Sequence, residues 1–271
     1  MKYIVSLLIL FCTLVCGGYA STEEPTVHAL LISDDTIASG LREEVRVDIN
    51  KVRKLLNCIV EQTHMTLSLR ELHGKDAVMA RIKEWATSLP QSANVIFFVY
   101  FAGHGFRTNA SPSPWPYLAL PHKSEALDSY GLLKQLESKQ PRLSILLSDC
   151  CNTFDSRFSL RREKKAVSST ELPGLKKLFL ETRGSIIGSA SSPGEPAYCS
   201  LRQGGFFTDI FITSMYRACR KKSPSWKEIF SITRSTCSPI QSPAFSLRTL
   251  DERIEEIRPS ARIKRRKMKT R

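Results

Sequence analysis

Short, nearly unbroken apolar runs alternate along this chain with longer stretches in which apolar residues recur every third or fourth position. The first run, Val27 to Ser33 (VHALLIS), is closed by Asp34-Asp35 and predicts a buried strand ending in a loop. Leu41, Val45, Ile49, Val52, Leu56, Ile59 and Thr63 then share one helical face, with Ser39 placed to cap the start and Glu43 and Glu44 complementing the positive end of the helix dipole. Met65, Leu67 and Leu69 alternate with Thr66, Ser68 and Arg70, which predicts a second strand over residues 65 to 72, broken by Gly74. Val78, Ile82, Trp85 and Leu89 form another helical stripe, stopped by Pro90. Val95 to Gly103 (VIFFVYFAG) is apolar almost throughout, as expected of a central strand covered on both faces.

The second half continues the alternation. Thr108 to Pro116 is rich in Pro, Ser and Asn and predicts a loop, Ser129 to Gln140 a helix, and Leu143 to Asp149 (LSILLSD) a strand that runs straight into Cys150-Cys151-Asn152. Residues 155 to 170 turn polar and basic, which suggests an exposed connection. A helix over 175 to 182, a strand over 184 to 191 and a helix over 207 to 219 follow. Ser225 and Glu228 then have capping-box spacing ahead of another helix, and a short strand spans 244 to 247. This order describes an α/β domain: a mostly parallel central sheet flanked by helices, with no internal repeat. In such sheets ligands bind outside the carboxyl ends of the strands. His104 and Cys151 each stand just beyond a strand end, so the fold argument brings both to one edge.

At 271 residues and 42% hydrophobic, the chain suits one domain with tails. Residues 1 to 20 have a basic start at Lys2, an apolar run from Tyr3 to Val15 and a small-x-small end at Gly18-Tyr19-Ala20, the pattern of a cleaved signal peptide. The run is short for a spanning helix, which needs about 20 apolar residues. The expectation is therefore an exported protein, secreted or periplasmic, with no transmembrane anchor after cleavage. A lipoprotein reading would use Cys16, but Val15 fits such processing poorly. The catalytic-size domain then covers residues 21 to 257.

The formal charge of +14 is concentrated at the end, where residues 258 to 271 carry eight Lys and Arg and no acid. Such a block cannot pack and reads as a solvated extension. It could touch polyanions without sequence preference, but nothing in it points to a specific nucleic acid. Cysteines at 12, 16, 58, 150, 151, 199, 219 and 237 show no disulfide framework and no zinc-ligand spacing, so no metal and no cofactor is expected. Most read as small buried residues.

Cys151 and His104 carry the chemistry. A thiol attacks an amide as the thiolate, and a nearby imidazole can take its proton and return it to the departing amine. Gly105 lets the backbone approach the substrate, and its N–H together with that of Cys151 would form an oxyanion hole. A His-Gly after one apolar strand and an Asp-x-Cys after the next, about 50 residues later, is the caspase layout.

The resemblance extends to motifs. FVYFAGHG (Phe98 to Gly105) resembles the histidine motif of the caspase and metacaspase superfamily, and SDCCNTF (Ser148 to Phe154) its nucleophile motif. The register of the metacaspase motif places Cys151, not Cys150, on the nucleophile. Gly194-Glu195-Pro196-Ala197, Gly205-Phe206-Phe207-Thr208 and Gln241-Ser242-Pro243 resemble later family motifs in the right order. Asn152 stands where metacaspases have His, and Phe154 where Gly often follows. The resemblance implies a caspase-like α/β/α sandwich and a cysteine endopeptidase acting on proteins or peptides. It also implies a basic connection, about 155 to 177, between large and small catalytic parts. Metacaspases that cut after Arg or Lys use acids in their pocket, one of them two residues before the nucleophile. Asp149 holds that place, and Asp34 or Asp35 could supply a second carboxylate, though a solvated-loop or capping role suits these two equally well. The alternative is a caspase-fold binding or regulatory module that has lost turnover, and a third class is a basic protein acting on polyanions through its tail.

Overall fold

The computed structural model describes residues 24–122, 125–154, 171–238 and 240–256. The predicted signal segment, residues 155 to 170 of the basic connection and the tail 258 to 271 lie outside them.

In chain order the elements are strand Thr26–Ser33 (β1), helix Arg42–Thr63 (α1), strand Thr66–His73 (β2), helix Met79–Ser88 (α2) and strand Val95–Ala102 (β3). Three short strands follow, Gly105–Phe106 (β4), Tyr117–Ala119 (β5) and Ala126–Asp128 (β6), then helix Ser129–Glu137 (α3) and strand Leu143–Asp149 (β7). Gly174–Lys176 (α4) continues as a π-type turn over Lys177–Glu181 before strand Gly184–Ser189 (β8). A two-strand ribbon of Cys199–Ser200 (β9) and Gly204–Gly205 (β10) leads into helices Phe206–Cys219 (α5) and Trp226–Cys237 (α6). Strands Ala244–Thr249 (β11) and Arg253–Glu256 (β12) close the order.

The main sheet runs β12-β11-β8-β7-β3-β1-β2. Its core pairs are parallel (β2/β1, β1/β3, β3/β7, β7/β8), and β11 and β12 add antiparallel at one edge. Because successive strand side chains point to opposite faces, each central strand feeds two cores. Val27, Ala29, Leu31, Phe98, Tyr100, Ile145 and Leu147 pack with α1, α5 and α6, whereas Leu30, Ile32, Phe97, Phe101 and Leu146 pack with α2 and α3. The result is the expected α/β/α sandwich. Covering both faces explains why β3 and β7 are buried at every position and why their sequences lack polar alternation.

Some local expectations change. The N-cap of α1 is Leu41, two residues after Ser39, whose hydroxyl instead accepts the Leu41 N–H at 3.2 Å and donates to the Thr36 carbonyl at 2.8 Å. The small sheet β4-β5-β6 and strand β12 were not anticipated, since two- to four-residue strands leave too short a pattern to read. At Ser225 the predicted cap forms, its hydroxyl accepting the Glu228 N–H at 3.0 Å. Among the described residues no helix is long and apolar enough to cross a membrane.

Candidate active site

Strand parity decides which cysteine faces the histidine. On β7, Leu143, Ile145 and Leu147 look toward α1 and α5, and Asp149 continues that series. Cys150 falls on the opposite parity and is buried in the core under α2 and α3, 2% exposed. Cys151 returns to the α1 side and is only partly buried. On β3, Tyr100 and Ala102 share the α1 face, and His104 follows them. His104, Cys151 and Asp149 accordingly line one small cleft, of about 50 Å³, together with Asp48, Gly205, Tyr198 and the buried Cys150.

The imidazole is oriented from behind. His104 Nε2 lies 2.7 Å from the Ser39 carbonyl, which can only accept, so Nε2 carries the proton and Nδ1 is left as the basic nitrogen. Ser39 is itself held: its hydroxyl proton is shared between the Thr36 carbonyl at 2.8 Å and the Asp34 carbonyl at 3.0 Å, and the Asp34 carboxylate accepts the Thr36 N–H and O–H at 3.2 and 2.7 Å. Asp34 thus shapes the loop that presents Ser39 to the histidine. Asp35 pairs with Arg46 at 3.1 Å. Neither aspartate lines the cleft, because each spends its carboxylate on its own side of the loop.

The second carboxylate of the cleft is Asp48. It sits on the buried face of α1 between Val45, Ile49 and Val52, and is 2% exposed. Both of its oxygens accept the Gly205 N–H at 2.9 Å. Asp149, 7% exposed, accepts the N–H and O–H of Thr208 at 2.9 and 2.7 Å, and Tyr100 Oη lies 2.6 Å from the Thr208 hydroxyl. Both acids therefore stand at the start of α5, where the helix dipole favours negative charge. Two glycines make room for them: a Cβ on Gly204 would come within 2.1 Å of an Asp48 oxygen, and one on Gly205 within 2.0 Å of an Asp149 oxygen. Burial raises the Asp149 carboxyl to about 6 against the pull of Thr208 and Lys51. Burial and the neighbouring Asp149 push Asp48 well above the usual carboxylate range. An acid that interrupts an apolar helical stripe is the signal that could have revealed Asp48.

The nucleophile segment is fixed on all sides. Gly105 packs against it so closely that a Cβ would lie 2.5 Å from Cys150 Sγ and 2.5 Å from the Cys151 carbonyl. Gly105 faces Leu118 across the β4/β5 pair, flanked by the Ala119 N–H to His104 carbonyl bond at 2.9 Å. In a pair of that type the facing residues exchange no bonds, so the ladder makes no use of the Gly105 N–H. Asn152 is fully buried; its N–H donates to the Glu195 carbonyl at 3.0 Å and its amide to the Pro114 carbonyl at 2.9 Å. The Cys151 thiol accepts the Ala197 N–H at 3.3 Å. Burial raises the thiol's pKa, the Ala197 contact lowers it and Asp149 raises it again, so a base is needed to generate the thiolate. Gln241 ties the loop down from the far side, accepting the Tyr198 N–H and donating to the Ala190 carbonyl, each at 3.0 Å.

Every motif that orders this cleft falls within residues 26–254, which match the family model for the caspase domain. The chain belongs to the caspase family. A search of curated proteins returned no match. Membership accounts for the shared logic of the caspase motifs here: Gly205 and Thr208 seat the two acids, and Gln241 secures the loop over Cys151. Among the described residues no group of three or more His, Cys, Asp or Glu could hold a metal, and their six cysteines are free thiols.

Proposed function

We propose that this caspase-family protein is a cysteine endopeptidase that cuts after Arg or Lys, with Cys151 as nucleophile and His104 as general base and then acid. The observation that supports this best is the sharing of one cleft by Cys151, His104 and the carboxylate pair Asp48 and Asp149. In this reading His104 Nδ1 takes the thiol proton, the thiolate attacks the carbonyl carbon, and the oxyanion is received by the N–H groups of Gly105 and Cys151. His104 then gives its proton to the leaving amine, and water releases the acyl group from sulfur. Two buried acids suit a guanidinium or ammonium side chain, and would repel an aspartate in the same position. Export ahead of the catalytic domain belongs to the same proposal.

The test expresses residues 21 to 271 and compares peptides ending in Arg, Lys and Asp. Cleavage of the basic peptides, retained in Cys150→Ala and abolished in Cys151→Ala and His104→Ala, is the expected result. Activity that survives Cys151→Ala overturns the assignment.

A further inference from the structure

Beneath the acid pair a chain of hydroxyl groups runs away from the cleft into the core. The N–H and O–H of Thr208 both donate to Oδ2 of Asp149, at 2.9 and 2.7 Å, whereas Oδ1 takes no donor among the described residues. Behind Thr208 stands Tyr100 of β3, 1% exposed. Its Oη lies 2.6 Å from the Thr208 hydroxyl oxygen and has no other partner among the described residues. Burial pushes the Tyr100 phenol well above its ordinary value, so it stays a neutral O–H group.

Proton counting sets the direction of these bonds. A threonine hydroxyl carries one proton. With Asp149 ionised that proton goes to Oδ2, and the proton in the 2.6 Å contact is then the one on Tyr100. The chain therefore runs from the Tyr100 O–H to the Thr208 oxygen and from the Thr208 O–H to Asp149, each donor polarising the next. A proton on Oδ2 would reverse it and turn the Tyr100 O–H toward a core that offers no acceptor; a proton on Oδ1 would leave it ending on a neutral oxygen, without the strength of a charge-assisted bond. Asp48 has no such support, since both its oxygens share the single N–H of Gly205. The other charged or titratable groups around Asp149 are Asp48 and Lys51 on α1, His104 beyond β3, Cys150 and Cys151 beside it and Cys199 on β9. Asp48 opposes a charge on Asp149 and Lys51 favours it, but Lys51 is itself paired with Asp209.

We propose that Tyr100 is a positioning residue that, acting through Thr208, keeps the negative charge of the acid pair on Asp149 and leaves Oδ1 to meet the cationic side chain of the substrate. The inference rests on the reading of the cleft as specific for Arg or Lys. Tyr100 touches no substrate; it anchors one carboxylate oxygen so that the other faces the cleft ionised. Its effect is greatest where Asp149 titrates and fades at higher pH, where Asp149 is ionised with or without it.

The test replaces Tyr100 by Phe, which keeps the ring and removes only the hydroxyl, in full-length protein. Carbon NMR of protein carrying carboxyl-labelled aspartate follows the Asp149 signal, identified by its absence in Asp149→Asn, through a pH titration. Tyr100→Phe should move its midpoint up by about 0.5–1 pH unit, the effect of one lost hydrogen bond of ordinary strength. Thr208→Val breaks the chain from α5, and adding Tyr100→Phe to it should move the midpoint no further. In rate measurements Tyr100→Phe should lower kcat/KM for an arginine peptide about two- to fivefold at pH 6 and hardly at all at pH 8, through KM, with kcat unchanged and a citrulline peptide unaffected. A midpoint that Tyr100→Phe leaves in place, or an arginine-peptide loss that is the same at pH 6 and pH 8, overturns the assignment. A moved midpoint in an enzyme that does not prefer arginine to citrulline upholds the role of Tyr100 and overturns the Arg or Lys specificity instead.

Discussion

Replacing Asp149 by Asn isolates the charge that the cleft offers to a substrate side chain. The amide is nearly the same size, and its oxygen can still accept the N–H and O–H of Thr208, now 2.9 and 2.7 Å from the carboxylate. The fold is therefore kept while the attraction for a cation is removed. A hydrogen bond to a charged group contributes about 1.5–3 kcal/mol, which corresponds to a loss of about 10- to 150-fold in kcat/KM for a peptide ending in arginine. A second arm uses the same peptide with citrulline, which preserves the shape of arginine without its charge. Initial rates for both enzymes on both peptides complete a cycle. Asp149→Asn should reduce the arginine peptide's rate by that factor and the citrulline peptide's much less. Equal reductions on the two peptides would show that Asp149 does not read the charge, and would refute the reasoning.

Other outcomes follow from the same geometry. Because burial raises Asp149 to about 6, acidification through that value protonates it, and KM for an arginine peptide should rise below pH 6 while that for citrulline stays level, as read from pH profiles of the two. The same raised value means that the group's contribution to stability is fully present below its ordinary value and is lost as pH rises through about 6. Thermal melts should then show Asp149→Asn gaining on wild type between pH 4 and 7. Asp34→Ala frees the loop behind Ser39 and should lower kcat by about 100-fold, the cost of misplacing a catalytic group by about 1 Å, with KM for the arginine peptide unchanged. Gly205→Ala forces a methyl to within 2.0 Å of the Asp149 carboxylate. Urea unfolding should register a loss of about 1–3 kcal/mol, the usual range for overpacking.

Much of this fold is written in its periodicities. β3 and β7 announce themselves as unbroken apolar runs because both faces are covered, and α1 and the capped start of α6 follow from spacing and a single hydroxyl. The positions of His104 and Cys151 just beyond two strand ends also bring both to one edge of the sheet, where they line one cleft. Asp48 was missed for a definite reason. Asp34 and Asp35 offer themselves as the second acid because they follow a strand end, whereas a helix can aim an acid inward when the partner that receives it, here the Gly205 N–H, lies far along the chain. Ser39 illustrates the converse. Its type and position suggested a helix cap, but its carbonyl, which no side-chain pattern reports, is the group that meets His104. Long-range backbone partners of this kind leave no trace in local spacing.

The two glycines at the start of α5 also bear on how the polypeptide would tolerate being cut. Asp48 and Asp149 come from the stretch before residue 155, and the groups that hold them, Gly205 and Thr208, from the stretch after residue 170. The cleft is therefore a seam as well as a receptor, reinforced by six register pairs between β7 and β8 from Leu143↔Gly184 to Ser148↔Ser189. Two separately made fragments ending and beginning in that interval would have to assemble in order to form any recognition surface at all, so recovery of cleavage on mixing them would report docking and pocket formation as one event.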